Sequence, residues 1–164
     1  PLAGQQRLRL FAWKRDTQNL DNIFHDTLFE QAQELNLRYT AAAAGRPIQA
    51  YSREEEWRKL DPFTRCSNIS AADFSQVCRE ILSGMRLRNP GQPQSEQLEL
   101  LAELEHIRWC RFHYLNNWTF GYPEQGGRKD SLRRLHSDLR PYSALPEEER
   151  EKDRQGLRTL LPLG

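Results

Sequence analysis

The chain has 164 residues, 37% hydrophobic, 10% aromatic and 29% charged, with 24 Lys and Arg against 23 Asp and Glu for a formal charge of +1. That length holds one domain or two small halves packed together, and four Trp, five Tyr and seven Phe exclude a permanently solvated chain. The charges interleave, leaving no basic field for nucleic acid or an acidic membrane surface, and no apolar stretch approaches the roughly 20 residues of a membrane helix.

Residues Arg7 to Trp13 alternate polar and apolar, the pattern of a half-buried strand. From Thr17 the period changes. Leu20, Ile23, Phe24, Leu28, Gln31 and Leu35 share one helical face, Asp16 or Thr17 can cap it, and a helix is predicted at about 18–38. Ala41 to Pro47 read as a connector, after which Ser52-Arg-Glu-Glu55 offers a capping box for a short helix carrying Trp57 and Leu60. Pro62 breaks or restarts it, and a third helix is expected at about 70–83, with Ser70 and Asp73 at capping-box spacing at its start and Gly84 as its stop. Asn89 to Gln94 is turn chemistry and divides the chain. Ser95 then caps a long helix at about 96–117, and 118–140, with Gly121, Gly126, Gly127 and Pro123, reads as a long loop without a period. Ser143-Ala-Leu-Pro146 opens a last helix, with Glu147, Glu148 and Glu149 near its positive end and pairs such as Glu148 to Lys152 on its solvated face. The fold class is all-α, with a short N-terminal strand.

Self-comparison adds a duplication. Ala32-x3-Asn36-x2-Tyr39 matches Ala102-x3-His106-x2-Trp109 at an offset of 70 (32 to 102), and Trp57-x2-Leu60-x4-Arg65-x2-Asn68 matches Tyr142-x2-Leu145-x4-Arg150-x2-Asp153 at an offset of 85 (57 to 142). Two blocks in the same order predict two pseudo-symmetric helical-hairpin repeats joined by long connecting loops. A cleft between related halves is a natural ligand site.

His106, Cys110 and His113 share one helix face and so present zinc-ligand chemistry, but no second ligand pair accompanies them, and a packed histidine is the simpler reading. Cys110 with either histidine lacks a third orienting group for nucleophilic catalysis, and neither a phosphate-cradling P-loop nor a GxGxxG is present. No catalytic residue, metal or cofactor is therefore assigned. Cys66, Cys78 and Cys110 match no disulfide framework, which points to buried thiols in a reducing, cytoplasmic setting. The stronger signal is aromatic. Trp57, Trp109, Trp118, Tyr122 and Tyr142 lie in or beside the matched blocks, with Arg65, Lys129, Arg150 and Arg154 among them. Aromatic faces stack on flat heterocycles and cations pair with phosphates, a combination suited to a nucleotide-like metabolite. The competing reading of each ring is simply core, strongest for Trp109.

Glu105-His106-x2-Trp109, Asn117-Trp118-x2-Gly121-Tyr122, Lys129, His136, Leu139-Arg-Pro-Tyr142-x2-Leu145-Pro-Glu147 and Lys152-Asp-Arg154 together resemble the ryanodine-receptor (RyR) repeat in its bacterial form. The resemblance spans about 95–162. The stretch from Trp57 to Asn68 resembles the segment that precedes this repeat in bacterial proteins where an NAD-binding regulatory domain lies upstream. Asn117 stands where a Gly is usual, and Ser137 where a Pro is common. The resemblance implies a two-repeat helical module of ion-channel and transport regulation without enzymatic activity, similar to modules that accommodate adenine nucleotides.

The expected organisation is a tail of an upstream domain at 1–16, a degenerate RyR-like half at 17–88 and the RyR repeat at 95–164, within a piece of a longer cytosolic protein. The expected function is sensing of a nucleotide-like small molecule, for example an adenine nucleotide, in the cleft between the halves. The ligand-binding candidates are Trp109, Trp118, Tyr122, Lys129, Tyr142, Arg150, Arg65, Trp57 and His106. The alternative is a protein-protein docking module that contacts the upstream domain or a channel subunit. No nucleic acid and no direct membrane contact is expected.

Overall fold

In the computed structural model, residues 27–161 are described. The strand expected at 7–13 and the start of the first expected helix lie outside them. Helix α1 spans Thr27–Ala44 and buries Ala32, Leu35, Asn36, Leu37 and Ala41. The run Ala41 to Ala44, read from sequence as connector, completes this helix, because alanine is the best helix former and nothing breaks the chain before Gly45, whose φ is +59°. Helix α2, Arg53–Arg58, starts where Ser52 accepts from the Glu55 amide, as the capping box requires.

Helix α3 runs from Pro62 to Arg88, far longer than the expected 70–83. Asp61 caps it by accepting from the Thr64 amide at 3.0 Å, and Pro62 sits where its missing N–H costs nothing. Ser70 and Asp73 lie inside it and do not start it, and Gly84 does not stop it. The helix passes through Gly84 and ends at Asn89, the residue that Pro90 bars from helical geometry. Helix α4, Gln94–Leu115, follows Pro93, so Ser95 lies inside its first turn and caps nothing, and it ends two residues before the expected 117. Asn117 has φ 62°, so it takes the left-handed turn for which glycine is the usual residue; asparagine is among the few others that tolerate it.

The segment 118–140 is not featureless. Strand β1 (Thr119–Phe120) pairs in parallel with β3 (Leu135–His136), which pairs antiparallel with β2 (Lys129–Asp130), in the order β1-β3-β2. Strands of two residues lie below the reach of any periodicity argument. The Asp130 carboxylate tightens the β2–β3 turn by accepting from the Leu132 and Arg133 amides. A 3₁₀ turn at Tyr142–Ala144 leads into helix α5, Glu147–Leu160, with three acidic residues at its positive end. Lys152 pairs with Glu149 at 2.7 Å rather than with Glu148. The fold is thus mostly helical, with this small sheet added.

Helix α1 packs on α3 and α4 on α5, while α3 lies against α4 and α1 reaches α5. The largest apolar cluster joins Cys78 and Leu82 of α3, Leu98, Leu101 and Ala102 of α4, Tyr142, Leu145 and Leu157. A second gathers Ala32, Trp57 and Ala72, and a third Cys110, Trp118 and Leu139. Matched residues make matched contacts. Ala32 and Ala102 are both fully buried, Trp57 and Tyr142 are both 6% exposed, Asn68 approaches Asn36 at 3.5 Å, and Asp153 approaches His106 at 3.4 Å. All three thiols are free, but only Cys78 and Cys110 are buried; Cys66 is exposed, so the expectation of three buried thiols is corrected.

Candidate functional site

Helix α4 presents His106, Trp109, Cys110 and His113 within two turns, His106 toward Asp153 of α5 and the Arg140 carbonyl, Trp109 and His113 toward His136 of the small sheet. Its period places these four on neighbouring rows of one surface. Two adjoining chambers open there. The inner one, so called for its place among the helices and as open to solvent as the other, is about 280 Å³ and lies between Tyr39 of α1, Asn68 of α3, Glu105 and Trp109 of α4, and Asp153 of α5. The outer one, about 610 Å³, lies between the start of α3, with Phe63 and Thr64, and Trp118, Lys129 and Arg134. Ser67, Trp109 and His136 line both chambers.

The outer chamber has an aromatic wall. The Trp109 ring lies 4.0 Å from His113 and 4.9 Å from His136 between centroids, and Phe63 stacks on Trp118 at 5.4 Å. His113 donates its Nδ1–H to the Trp109 carbonyl at 2.9 Å, and burial among these rings pushes its pKa down to about 4. Burial also lowers His136, whose Nδ1 accepts from the Asp138 amide. Both imidazoles are therefore neutral near pH 7, and the chamber's positive charge comes from Lys129 and Arg134. Neither has a carboxylate within ion-pair distance among the described residues, and Arg134 donates to the Asn116 carbonyl.

The inner chamber is richer in carboxylates. Burial raises Glu105, but Arg108 opposes it with bidentate hydrogen bonds at 2.8 and 2.6 Å. Asp153 is likewise raised by burial and opposed by His106. For His106, burial works against charge, yet the Asp153 carboxylate, the Cys110 thiol and the Arg140 carbonyl outweigh it and carry its pKa up to about 10. Its Nε2 lies 2.8 Å from the Arg140 carbonyl and its Nδ1 faces Asp153, an arrangement that suits an imidazolium with both nitrogens donating. Tyr39 is held protonated by burial and by the nearby Glu105 and Asp153.

Of the residues singled out from sequence, His106 and Trp109 line the inner chamber, and Trp109, Trp118 and Lys129 line the outer one. Five stand elsewhere. Trp57 is packed against Ala32 and Ala72, and Tyr142 lies in the largest apolar cluster. Arg65 donates to the Trp57 and Arg58 carbonyls at 3.2 and 2.9 Å, closing the end of α2. Arg150 pairs with Glu147 at 2.8 Å. Tyr122, 66% exposed, meets only the edge of Phe120 among the aromatic rings. The chambers also recruit Phe63, His113, Arg134, Glu105 and Asp153. The helical spacing of His106 and His113 signalled a shared face, whereas nothing local marks Phe63 or Arg134. No cluster of three or more His, Cys, Asp or Glu among the described residues is arranged to hold a metal ion.

Residues 91–163, from the turn before α4 past the end of α5, match the family model of the RyR domain. No curated protein and no solved structure matches the chain.

Proposed function

We propose that this chain, whose residues 91–163 match the family model of the RyR domain, is a non-enzymatic, ligand-sensing domain of a bacterial regulatory protein that binds a nucleotide-like small molecule between its two helical halves. The single observation that carries this reading is the pair of adjoining chambers sharing Trp109. One wall of the larger chamber is aromatic, and its rim holds two cations without carboxylate partners among the described residues. A flat heterocycle finds ring faces there, and an anionic group finds Lys129 and Arg134. The protein would act in the cytoplasm, in regulation of ion transport, relaying occupancy to an upstream NAD-binding domain or a channel subunit. No described helix is long and apolar enough to cross a membrane.

The test is titration of the chain with adenine and guanine nucleotides, NAD, ADP-ribose and cyclic dinucleotides, read by thermal shift and Trp fluorescence. Ligand at 100 times its Kd stabilises the fold by about 2.7 kcal/mol. Lys129→Ala is expected to weaken binding at least tenfold, about 1.4 kcal/mol, while leaving the melting temperature of the free protein unchanged. A dose-dependent shift that Lys129→Ala does not alter would overturn the assignment of the anion to this rim.

One observation favours a docking role instead. Leu115, Phe120, Tyr122 and Leu132 are all exposed around the small sheet, and Leu132 is 94% exposed. A docking surface predicts self-association or partner capture that Phe120→Ser abolishes, and no stabilisation by any nucleotide.

A further inference from the structure

The two chambers offer a ligand different chemistry at their two ends, and that difference orients it. The outer end holds Lys129 and Arg134 beside polar Asn116 and Ser131, and the carboxylate that lines it, Asp61, is engaged by the Thr64 amide and hydroxyl. The inner end holds the carboxylates of Glu105, Asp138, Glu149 and Asp153, with the cations Arg108 and Lys152 paired to Glu105 and Glu149. These four carboxylates are not equally available, and Asp138 Oδ1 already accepts from Arg128 at 3.0 Å and Ser137 at 3.1 Å. Both oxygens of Glu105 are taken by Arg108, and Glu149, although its Oε2 has no partner among the described residues, is neutralised by two cations that share its Oε1, Lys152 at 2.7 Å and Arg128 at 3.2 Å. Asp153 engages His106 through Oδ2, which leaves its Oδ1 without a hydrogen-bond partner among the described residues, on a side chain that lines the chamber.

A volume of about 280 Å³ lies at the lower end of ligand pockets and suits a fragment of a nucleotide rather than the whole. A nucleotide is linear in the order base, ribose, phosphate. Only one direction sets the amine of the base against an unengaged carboxylate oxygen inside and the phosphate against the cations that have no carboxylate partner among the described residues outside. On the nucleotide reading given above, we propose that the inner chamber takes the base, whose exocyclic amine donates to Asp153 Oδ1, and that the phosphate lies at Lys129 and Arg134 in the outer chamber.

The physical consequence is discrimination between amino and keto bases. An amine placed against a carboxylate completes a charge-assisted hydrogen bond; a keto oxygen at the same position meets like partial charge and leaves the carboxylate unpaired. Trp109 lines both chambers with its ring held between His106 and His113, so its contact with the base is the same in either case and does not discriminate. Hydrogen bonds to charged groups are the ones that separate analogues.

The experiment is calorimetric titration of the full chain with two matched pairs, adenosine against inosine monophosphate and cytidine against uridine monophosphate. The amino member of each pair is expected to bind about ten- to a hundredfold more tightly. Equal affinity within both pairs would overturn the placement of the base while leaving the groove reading intact, and absence of binding by all four would overturn both. Asp153→Asn supplies a second arm, since its carboxamide donates as well as accepts. The amino preference is then expected to narrow or invert, and a preference unchanged in the folded variant would overturn the role of Asp153. Lys129→Ala is expected to weaken both members of each pair alike.

Discussion

Acid should destabilise this fold through His113. The side chain is 5% exposed, ringed by Phe63, Trp109, Phe112, Trp118 and His136, and its one polar contact, Nδ1–H to the Trp109 carbonyl, serves the neutral ring. Its pKa falls from 6.5 to about 4 in the folded state. At about 1.36 kcal/mol per unit, that difference amounts to about 3 kcal/mol. A base whose folded pKa lies below its unfolded value contributes its full share above the unfolded value and loses it as pH falls toward the folded one. The loss therefore falls between pH 6.5 and about 4. His106 does not obscure it. With a folded pKa of about 10, above its unfolded 6.5, its contribution is complete below pH 6.5 and is lost progressively as pH rises from there to about 10, equally in wild type and His113 variant, so it cancels in their difference. Urea denaturation followed by Trp fluorescence, run on the wild type and on His113→Leu at intervals from pH 7.5 to 4, isolates the residue. The variant is expected to be the less stable at pH 7.5, and the gap should close by about 3 kcal/mol as the wild type alone loses the His113 contribution. A gap constant across the range would mean that His113 is solvated and titrates normally in the folded chain.

Two further substitutions probe the packing around the site. Gly156→Ala in α5 would ordinarily stabilise a helix by about 1 kcal/mol, but the new Cβ would strike the Tyr39 hydroxyl, so the gain should be absent in the wild type and appear in a Tyr39→Ala background. Melting temperatures of the four proteins of that cycle decide it, and equal effects in both backgrounds would refute the contact. Arg65→Ala should cost about 1.5–3 kcal/mol of stability, because two carbonyls at the end of α2 lose a charged donor, and should leave nucleotide affinity unchanged. An affinity loss in the folded variant would return Arg65 to the ligand site.

Much of this molecule is written locally. The Ser52 capping box, the break at Pro62, the turn at Asn89 to Pro93 and the acidic start of α5 are decided by backbone chemistry within a few residues, and each was legible without a fold. The matched blocks were legible too, because the residues that bind the halves recur at fixed spacing, and Asn36 with Asn68 stands in the first half as His106 with Asp153 stands in the second. Helix ends that depend on the absence of a breaker were misread. Gly84 costs a helix only about 1 kcal/mol, too little to stop one that is packed on both sides.

Which aromatic and basic residues face the groove was decided by tertiary structure alone. Trp57 and Trp109 are the same residue type in the two halves, yet one fills a core beside Ala32 while the other lines both chambers, because the small sheet and the start of α3 stand off from α4 and leave space there. Arg65 and Arg150 look like free cations in the sequence; the first is spent on carbonyls eight and seven residues upstream and the second on Glu147. Phe63 and Arg134 carry no local signal because their roles exist only once elements distant in the chain meet. Sequence determines which segments are helical and which residues can do chemistry; burial and charge partners, which depend on every neighbouring element at once, determine which of them remain available to a ligand.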